Sequence, residues 1–286
     1  MTKIPKIIHV YWNTKKLPPF IKRTLNSLRR ANNDWKINVY SYDDVLDIKN
    51  IPESIYKTSN LQRIQNVLMK YVSDWLRLYL LYTQGGVYID ISCVGVKNFT
   101  TILDMDSDNL QGYNYPYDNF SCMENWFLAS PPHNPFVKRW LDETIIAHVN
   151  PTEYAEKNVH FAPELNKALL LPYLVQHLAW TKVAHEISGG YTLLGNAIDG
   201  PFFFMHKSDP KQTNLYQLLS LRSFPPNVAF IKLNQNNRLS IISMVNDKKT
   251  IEKYNKSRLL QLLKYVSESN TRKQTVCRVK TKRCKQ

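Results

Sequence analysis

An α/β fold, with a Rossmann-like and mostly parallel sheet flanked by helices, is predicted by three observations. Strand-like and helix-like segments alternate from residue 6 to residue 91. One long periodic helix, Leu61 to Thr83, stops at Gly85-Gly86, the residue type that takes the left-handed cap of a helix without steric cost. A short apolar strand, Val87 to Ile91, follows and carries a carboxylate, Asp90, near its C-terminal end. Buried parallel strands are continuous Val/Ile runs, so an acid there opposes burial and asks for a reason. In open α/β sheets that end of a strand is where ligands gather.

The elements follow in order. Lys6-Ile-Ile-His-Val-Tyr-Trp12 is β-rich and apolar and reads as the first strand. Pro18-Pro19 breaks the chain, and Phe20 to Ala31 places Ile21, Leu25 and Leu28 on one helical face. Lys36 to Tyr42 alternates and reads as the second strand. The long helix places Leu61, Ile64, Leu68, Val72, Trp75, Leu76, Tyr79 and Tyr82 on its apolar face. Gln111 to Tyr113 and Met123 to Ala129 are further strands, and Pro135 to His148 is a helix. Glu164 to Glu186 has helical spacing with an expected break at Pro172. Thr192 to Leu194 and Val228 to Leu233 read as short strands separated by a Gly200-Pro201 turn, and Leu259 to Val266 as a last helix. No internal repeat is evident.

Length and charge bound the rest. At 286 residues and 43% hydrophobic content the chain can bury a sizeable core, expected as one domain over residues 1–270. The net charge of +15 is uneven. Residues 271–286 hold Arg272, Lys273, Arg278, Lys280, Lys282, Arg283 and Lys285 and no acid, which leaves about +8 on the body. The tail is expected to be disordered, and the basic body suits phosphate-bearing ligands. Cys93, Cys122, Cys277 and Cys284 show no zinc spacing. A reducing, cytoplasmic setting is expected, with no signal peptide and no membrane span, and with the tail available to touch acidic lipid at a membrane surface.

Within the long helix, Asp74 and Arg77 are three residues apart and share a face. As an exposed pair they would be worth a few tenths of a kcal/mol at most. Trp75 and Leu76 put that face at the margin of the core, and the tight Gly85-Gly86 reversal brings Asp90 back toward it, so the three charges can line one crevice. Asp90-Ile-Ser92, read as extended, puts a carboxylate and a hydroxyl on one side, a pair able to hold a hard cation.

Three segments together, Ile4-Pro-Lys-Ile-Ile-His-Val-Tyr-Trp-Asn13, Ser73-Asp-Trp-Leu-Arg77 and Gly85-Gly-Val-Tyr-Ile-Asp90, resemble the DxD-containing glycosyltransferases. These include the capsular polysaccharide synthesis proteins, the yeast initiating mannosyltransferases and the clostridial glucosylating toxin catalytic domains. Glu124-Asn-Trp-Phe-Leu-Ala-Ser130 with Pro135-Phe136 resembles the capsular branch. The resemblance is good over residues 4 to 140 and thin around Gly200-Pro201 and Ile231-Lys-Leu233. It implies a GT-A fold, a nucleoside diphosphate sugar donor, a glycan or glycolipid acceptor, and Mn²⁺ or Mg²⁺. By position, Trp12 would stack on the base, with His9 on the same stretch. Asp74 and Arg77 would contact ribose and donor sugar, Tyr88 would sit against the donor, and Asn125 would lie near the reacting sugar. Asp90 would be the first acid of the DxD motif.

The sequence departs from that motif at the second acid, which is Ser92. A missing carboxylate lowers affinity for hard cations. His206, in Phe202-Phe-Phe-Met-His206, is the candidate for a further metal ligand, with Asn234 behind it. The expected reaction is sugar transfer with retention, through Asp90, Arg77 and Asn125. Glu124 is the nearest carboxylate to a nucleophile by motif. A catalytically inactive nucleotide-sugar or glycan binder is the alternative. Specific nucleic-acid binding ranks last, because the basic residues crowd the tail without an aromatic-basic RNA motif.

Overall fold

The computed structural model describes residues 3–49, 51–56, 65–114, 122–163, 173–206 and 209–267. The elements in chain order are β1 (Ile7–Tyr11), α1 (Pro19–Ala31), β2 (Lys36–Tyr40), α2 (Tyr42–Leu46), α3 (Glu53–Tyr56), α4 (Gln65–Gln84), β3 (Gly86–Ile89) and β4 (Val94–Gly95). Next come β5 (Leu110–Asn114), β6 (Met123–Ser130), α5 (Pro135–Val149), α6 (Pro151–Asn158), α7 (Val175–Glu186) and β7 (Tyr191–Asn196). The last are β8 (Met205–His206), β9 (Asp209–Thr213), α8 (Leu215–Ser220), β10 (Phe230–Ile231), α9 (Gln235–Met244), α10 (Lys248–Lys253) and α11 (Arg258–Leu262).

The six-stranded sheet runs β2-β1-β3-β6-β5-β7. β1 is parallel to β2 and β3, with His9 opposite Asn38 and Tyr88. β6 is antiparallel to β3 and β5, and β5 is parallel to β7. This is the expected mixed, mostly parallel sheet flanked by helices. Strand alternation sorts its side chains between two cores. Ile8, Val10, Val87, Ile89, Phe127 and Ala129 enter one, with α1 and the C-terminal elements. Tyr11, Tyr88 and Leu128 enter the other, under α4, α5 and α7.

The predicted boundaries move for local reasons. The second strand ends at Tyr40, because Ser41 caps α2 through a reciprocal box with Asp44. The third strand stops at Ile89. The last strand narrows to β10, which pairs with β4, and the last helix to α11, capped by Ser257. Glu164 to Pro172 and Leu61 to Ile64 lie outside the described residues, as does the basic tail. Among the described residues no helix is long and apolar enough to cross a membrane.

The α4–β3 junction needs its two glycines. Gly85 has φ +65 and Gly86 φ +94, a region that costs other residues about 1–2 kcal/mol. A Cβ on Gly85 would also meet Pro132 at 2.7 Å, and one on Gly86 would collide with the Ile7 carbonyl. The junction therefore returns β3 directly against β1 with α4 behind it.

Candidate active site

The candidate site lies where α4 passes the C-terminal end of β3. Asp74 and Arg77 are not the exposed pair that spacing alone allows; their side chains are 1% and 5% exposed. Arg77 Nη2 lies 3.3 Å from Asp74 Oδ1 and 3.9 Å from Asp90 Oδ1. The same Nη2 also donates to Ser73 Oγ at 3.0 Å, while Nη1 donates to Gln176 Oε1 and Nε to Ser73 O, each at 3.3 Å. Lys70, one turn earlier, donates to Asp74 Oδ2 at 2.6 Å. Burial pushes the Asp74 carboxyl up, but Lys70 and then Arg77 outweigh it and hold the group below the usual carboxylate range. Asn125 of β6 donates to Gln176 Oε1 at 2.8 Å and to Asp74 Oδ1 at 3.4 Å. Gln176 Nε2 in turn donates to the Asp74 backbone carbonyl at 2.6 Å. The predicted group Asp74, Arg77, Asp90 and Asn125 is thus brought together.

Asp90 is the open end of this cluster, with 29% of its side chain exposed. Its amide continues the ladder to Trp126 O at 2.9 Å. The segment beyond it is not extended. Cys93 N donates to Asp90 O at 2.9 Å, closing a turn over residues 90–93, and Thr24 of α1 donates to Ile91 O at 2.6 Å. The expected one-sided pairing of Asp90 with Ser92 along a strand therefore does not form; Ser92 is 6% exposed within the turn. Lys232, just after β10, places its ammonium on Asp90 Oδ2 and lies 5.9 Å from the Trp126 ring. Burial raises the Asp90 carboxyl, but Lys232 and then Arg77 more than offset it and keep Asp90 ionised.

Other expected contacts change role. His9 is fully buried, and its Nε2 lies 3.0 Å from Gly85 O. Burial lowers its pKa to about 4, so it is a neutral tie between β1 and the glycine junction rather than a donor ligand. Tyr88 is 1% exposed. Its hydroxyl lies 2.9 Å from Ser73 Oγ, and its ring lies 5.0 Å from the Arg77 guanidinium. It supports Arg77 from below instead of facing a ligand. Trp12 is half-buried at the end of β1, its amide on Tyr40 O at 3.0 Å. Glu124 turns to His177, 3.5 Å away. Asn234 is an N-cap, accepting from Asn237 N at 2.8 Å. The side chain of His206 lies outside the described residues.

Sequence reasoning missed Lys70, Gln176, Lys232 and Arg238. Lys70 was legible, four residues before Asp74 on the same helix face. The others come from elements distant in the chain, and only tertiary packing brings them here. Tyr173, 60% exposed, sits over Lys70 at 4.9 Å on the open side.

A divalent cation is implied by the resemblance, and the donor set here does not fit one. Hard cations take several oxygen ligands, carboxylates foremost. Asp90 is already engaged by an ammonium and lies near a guanidinium, and the next acid position is a hydroxyl in a turn. Among the described residues no group of three His, Cys, Asp or Glu is placed to hold a metal. The arrangement is chemically suited to an anion instead. Lys70, Arg77, Lys232 and Arg238 surround Asp74 and Asp90, giving two more positive groups than negative ones.

Over 140 residues the chain is 28% identical to inositol phosphoceramide mannosyltransferase 1 of Schizosaccharomyces pombe, covering 48% of this chain and 41% of that protein. It is 25% identical over 158 residues to the O-glycosyltransferase braB of Annulohypoxylon truncatum, covering 48% and 36%. The chain thus spans less than half the length of these curated relatives. Among solved structures, the galactosyltransferase LgtC, in complex with donor and acceptor sugar analogs, superposes with TM-score 0.46 at 14% identity over 94% of this chain and 99% of that one. Residues 1–161, which hold Asp74, Arg77, Asp90 and Asn125, match the model of the capsular polysaccharide synthesis proteins, and the chain belongs to that family.

Proposed function

We propose that the chain is a glycosyltransferase that takes a sugar from a nucleoside diphosphate sugar, UDP- or GDP-linked, and passes it to a hydroxyl of a glycan acceptor. The observation that carries this reading is the ionised, partly exposed Asp90 at the C-terminal end of β3, ringed by Arg77 and Lys232. It stands in the segment matched to the capsular polysaccharide synthesis family. The names of both curated relatives support a transferase.

In this reading the site binds and orients the donor and stabilises its departing diphosphate. Arg77 is held rigid by Asp74, Ser73 and Gln176, so its charge needs little reorganisation as negative charge develops. Transfer with retention follows a front-face path. The bond from the anomeric carbon to the phosphate oxygen breaks, the bond to the acceptor oxygen forms on the same face, and the acceptor proton passes to the leaving phosphate. Asn125, tied to Gln176 and beside Asp74, is in this reading the residue assigned to the reacting sugar. Glu124, turned to His177, takes no part. We place the protein on the cytoplasmic side, where nucleotide sugars are supplied, with the seven basic residues of the tail suited to acidic lipid.

The test is incubation with a panel of UDP- and GDP-sugars and glycan acceptors, with products read by mass spectrometry. One donor is expected to be consumed, and Asp90→Ala is expected to lower turnover by about 10²–10³-fold. Full turnover in that variant would remove Asp90 from the site. A second reading, a nucleotide-sugar binder without catalysis, is favoured by Ser92 at the second acid position. It requires nucleotide binding with no transfer or donor hydrolysis for any member of the panel.

A further inference from the structure

We propose that in this chain Lys232, with Arg77 and Arg238, holds and neutralises the donor diphosphate in place of a divalent cation. The inference deepens the transferase reading and rests on it. The geometry comes from both ends of the chain. Asp90 is the carboxylate that would anchor a metal between protein and diphosphate, and the ammonium of Lys232 sits on its Oδ2. The other oxygen faces Arg77 Nη2 at 3.9 Å. A cation entering beside Asp90 would meet both positive groups and find only the hydroxyl of Ser92 where the motif has its second acid.

A diphosphate meets the opposite situation. Lys232 is 13% exposed along its side chain and Asp90 29%, so the pair is not sealed and Asp90 borders the open side. The chain places it there through β10, whose Phe230 and Ile231 pair with Gly95 and Val94 next to the 90–93 turn. Lys232 N is also fixed on Pro201 O at 3.2 Å. Arg238 stands on the first turns of α9, its Nη1 on Leu233 O at 3.2 Å, and it interacts electrostatically with Asp90. Asp90 in this arrangement is a positioning residue that holds Lys232 toward the ligand. Two fixed protein cations then supply the charge that a metal would bring, and Arg77 adds a third from a rigid setting.

The experiment is calorimetric titration of the full chain with UDP and with GDP, in EDTA and again in Mn²⁺. One nucleotide is expected to bind in EDTA with a Kd less than about tenfold weaker than in Mn²⁺. Lys232→Met is expected to weaken that binding by about 10- to 100-fold, the loss of one charge-assisted hydrogen bond, and Lys232→Arg to recover most of it. Ser92→Asp is expected to raise the dependence on Mn²⁺. Binding tenfold or more tighter in Mn²⁺ than in EDTA overturns this inference and leaves the transferase reading standing. Unchanged affinity in a folded Lys232→Met chain also overturns it. No binding of either nucleotide in either condition overturns both. The wild-type arms need no variant, so a Lys232→Met chain that does not fold leaves the test decidable.

Discussion

On one face of the sheet Phe99, Phe127 and Phe230 pack ring against ring, with Phe127 and Phe230 stacked at 4.7 Å. On the other, under α4, α5 and α7, the buried layer includes Asp74, Arg77, Glu143, His148 and Gln176. Both faces are equally closed to water, yet they are stabilised differently. Each buried ring on the first contributes about 1.5–3 kcal/mol by leaving water. Each charge on the second contributes only while all its partners are in place, because desolvation is offset by a complete set of contacts and by nothing less. The first face supports the sheet, and the second sets the direction in which Arg77 and Asp90 point.

The difference is broken most directly at Asp74. Asp74→Ala leaves Lys70 and Arg77 buried without their carboxylate and is expected to cost about 3–5 kcal/mol in urea unfolding. A loss below about 1 kcal/mol would mean that the charged layer admits water freely.

Acid tests the same layer. His148 is fully buried, stacked on Tyr71 at 4.2 Å and 3.9 Å from Asp74, with Lys70 and Arg77 also near. Burial lowers its pKa to about 3 and that of His9 to about 4. Both therefore stay neutral in the fold, while the unfolded chain takes up protons below 6.5. Their stability is complete above 6.5 and is lost as pH falls toward the native values. The expected slope is on the order of 1 kcal/mol per pH unit for each histidine. Asp74 and Asp90, held below 3.8 in the fold, add their own loss only as pH drops beneath that value. Urea midpoints from pH 7 to pH 5 measure this, and a flat profile would show that neither histidine is sealed.

The apolar face supplies the smallest effect. Ile89→Val, which removes one methylene from a fully buried position, is expected to cost about 0.5–1.5 kcal/mol. It should leave nucleotide affinity unchanged within error, whereas a parallel loss of affinity would mean that the two faces are coupled through β3.

The sheet was legible where local pattern and burial agree. The segments Lys6 to Trp12, Gln111 to Tyr113 and Met123 to Ala129 read as strands and correspond to β1, β5 and β6, and α4 ends at Gln84, one residue past the predicted Thr83 and directly before the glycine pair. Helix spacing put Asp74 and Arg77 together, and the short return to β3 brought Asp90 to them. What was not legible depends on depth and distance. Sequence cannot say that Tyr88 and His9 sit beneath the surface, because strand alternation divides side chains between faces and both faces here are covered. The turn after Ile89 was hidden because Ile91 and Ser92 suit an extended strand equally well. It is made by Thr24 and by the Asp90–Cys93 bond. Lys232 gave no signal, since its meaning depends on β10 packing beside β4.

The contact between Asp90 and Lys232 joins residues 142 positions apart. During synthesis from the N-terminus, α4 and β3 emerge with Asp90 long before its ammonium partner exists. Until the last quarter of the chain arrives, that carboxylate has Arg77 but not Lys232 beside it, and the positive cluster is incomplete. On the reading proposed above, competence is tied to completion: a chain cut short before residue 232 would keep the motif and lack the ammonium that sits on Asp90.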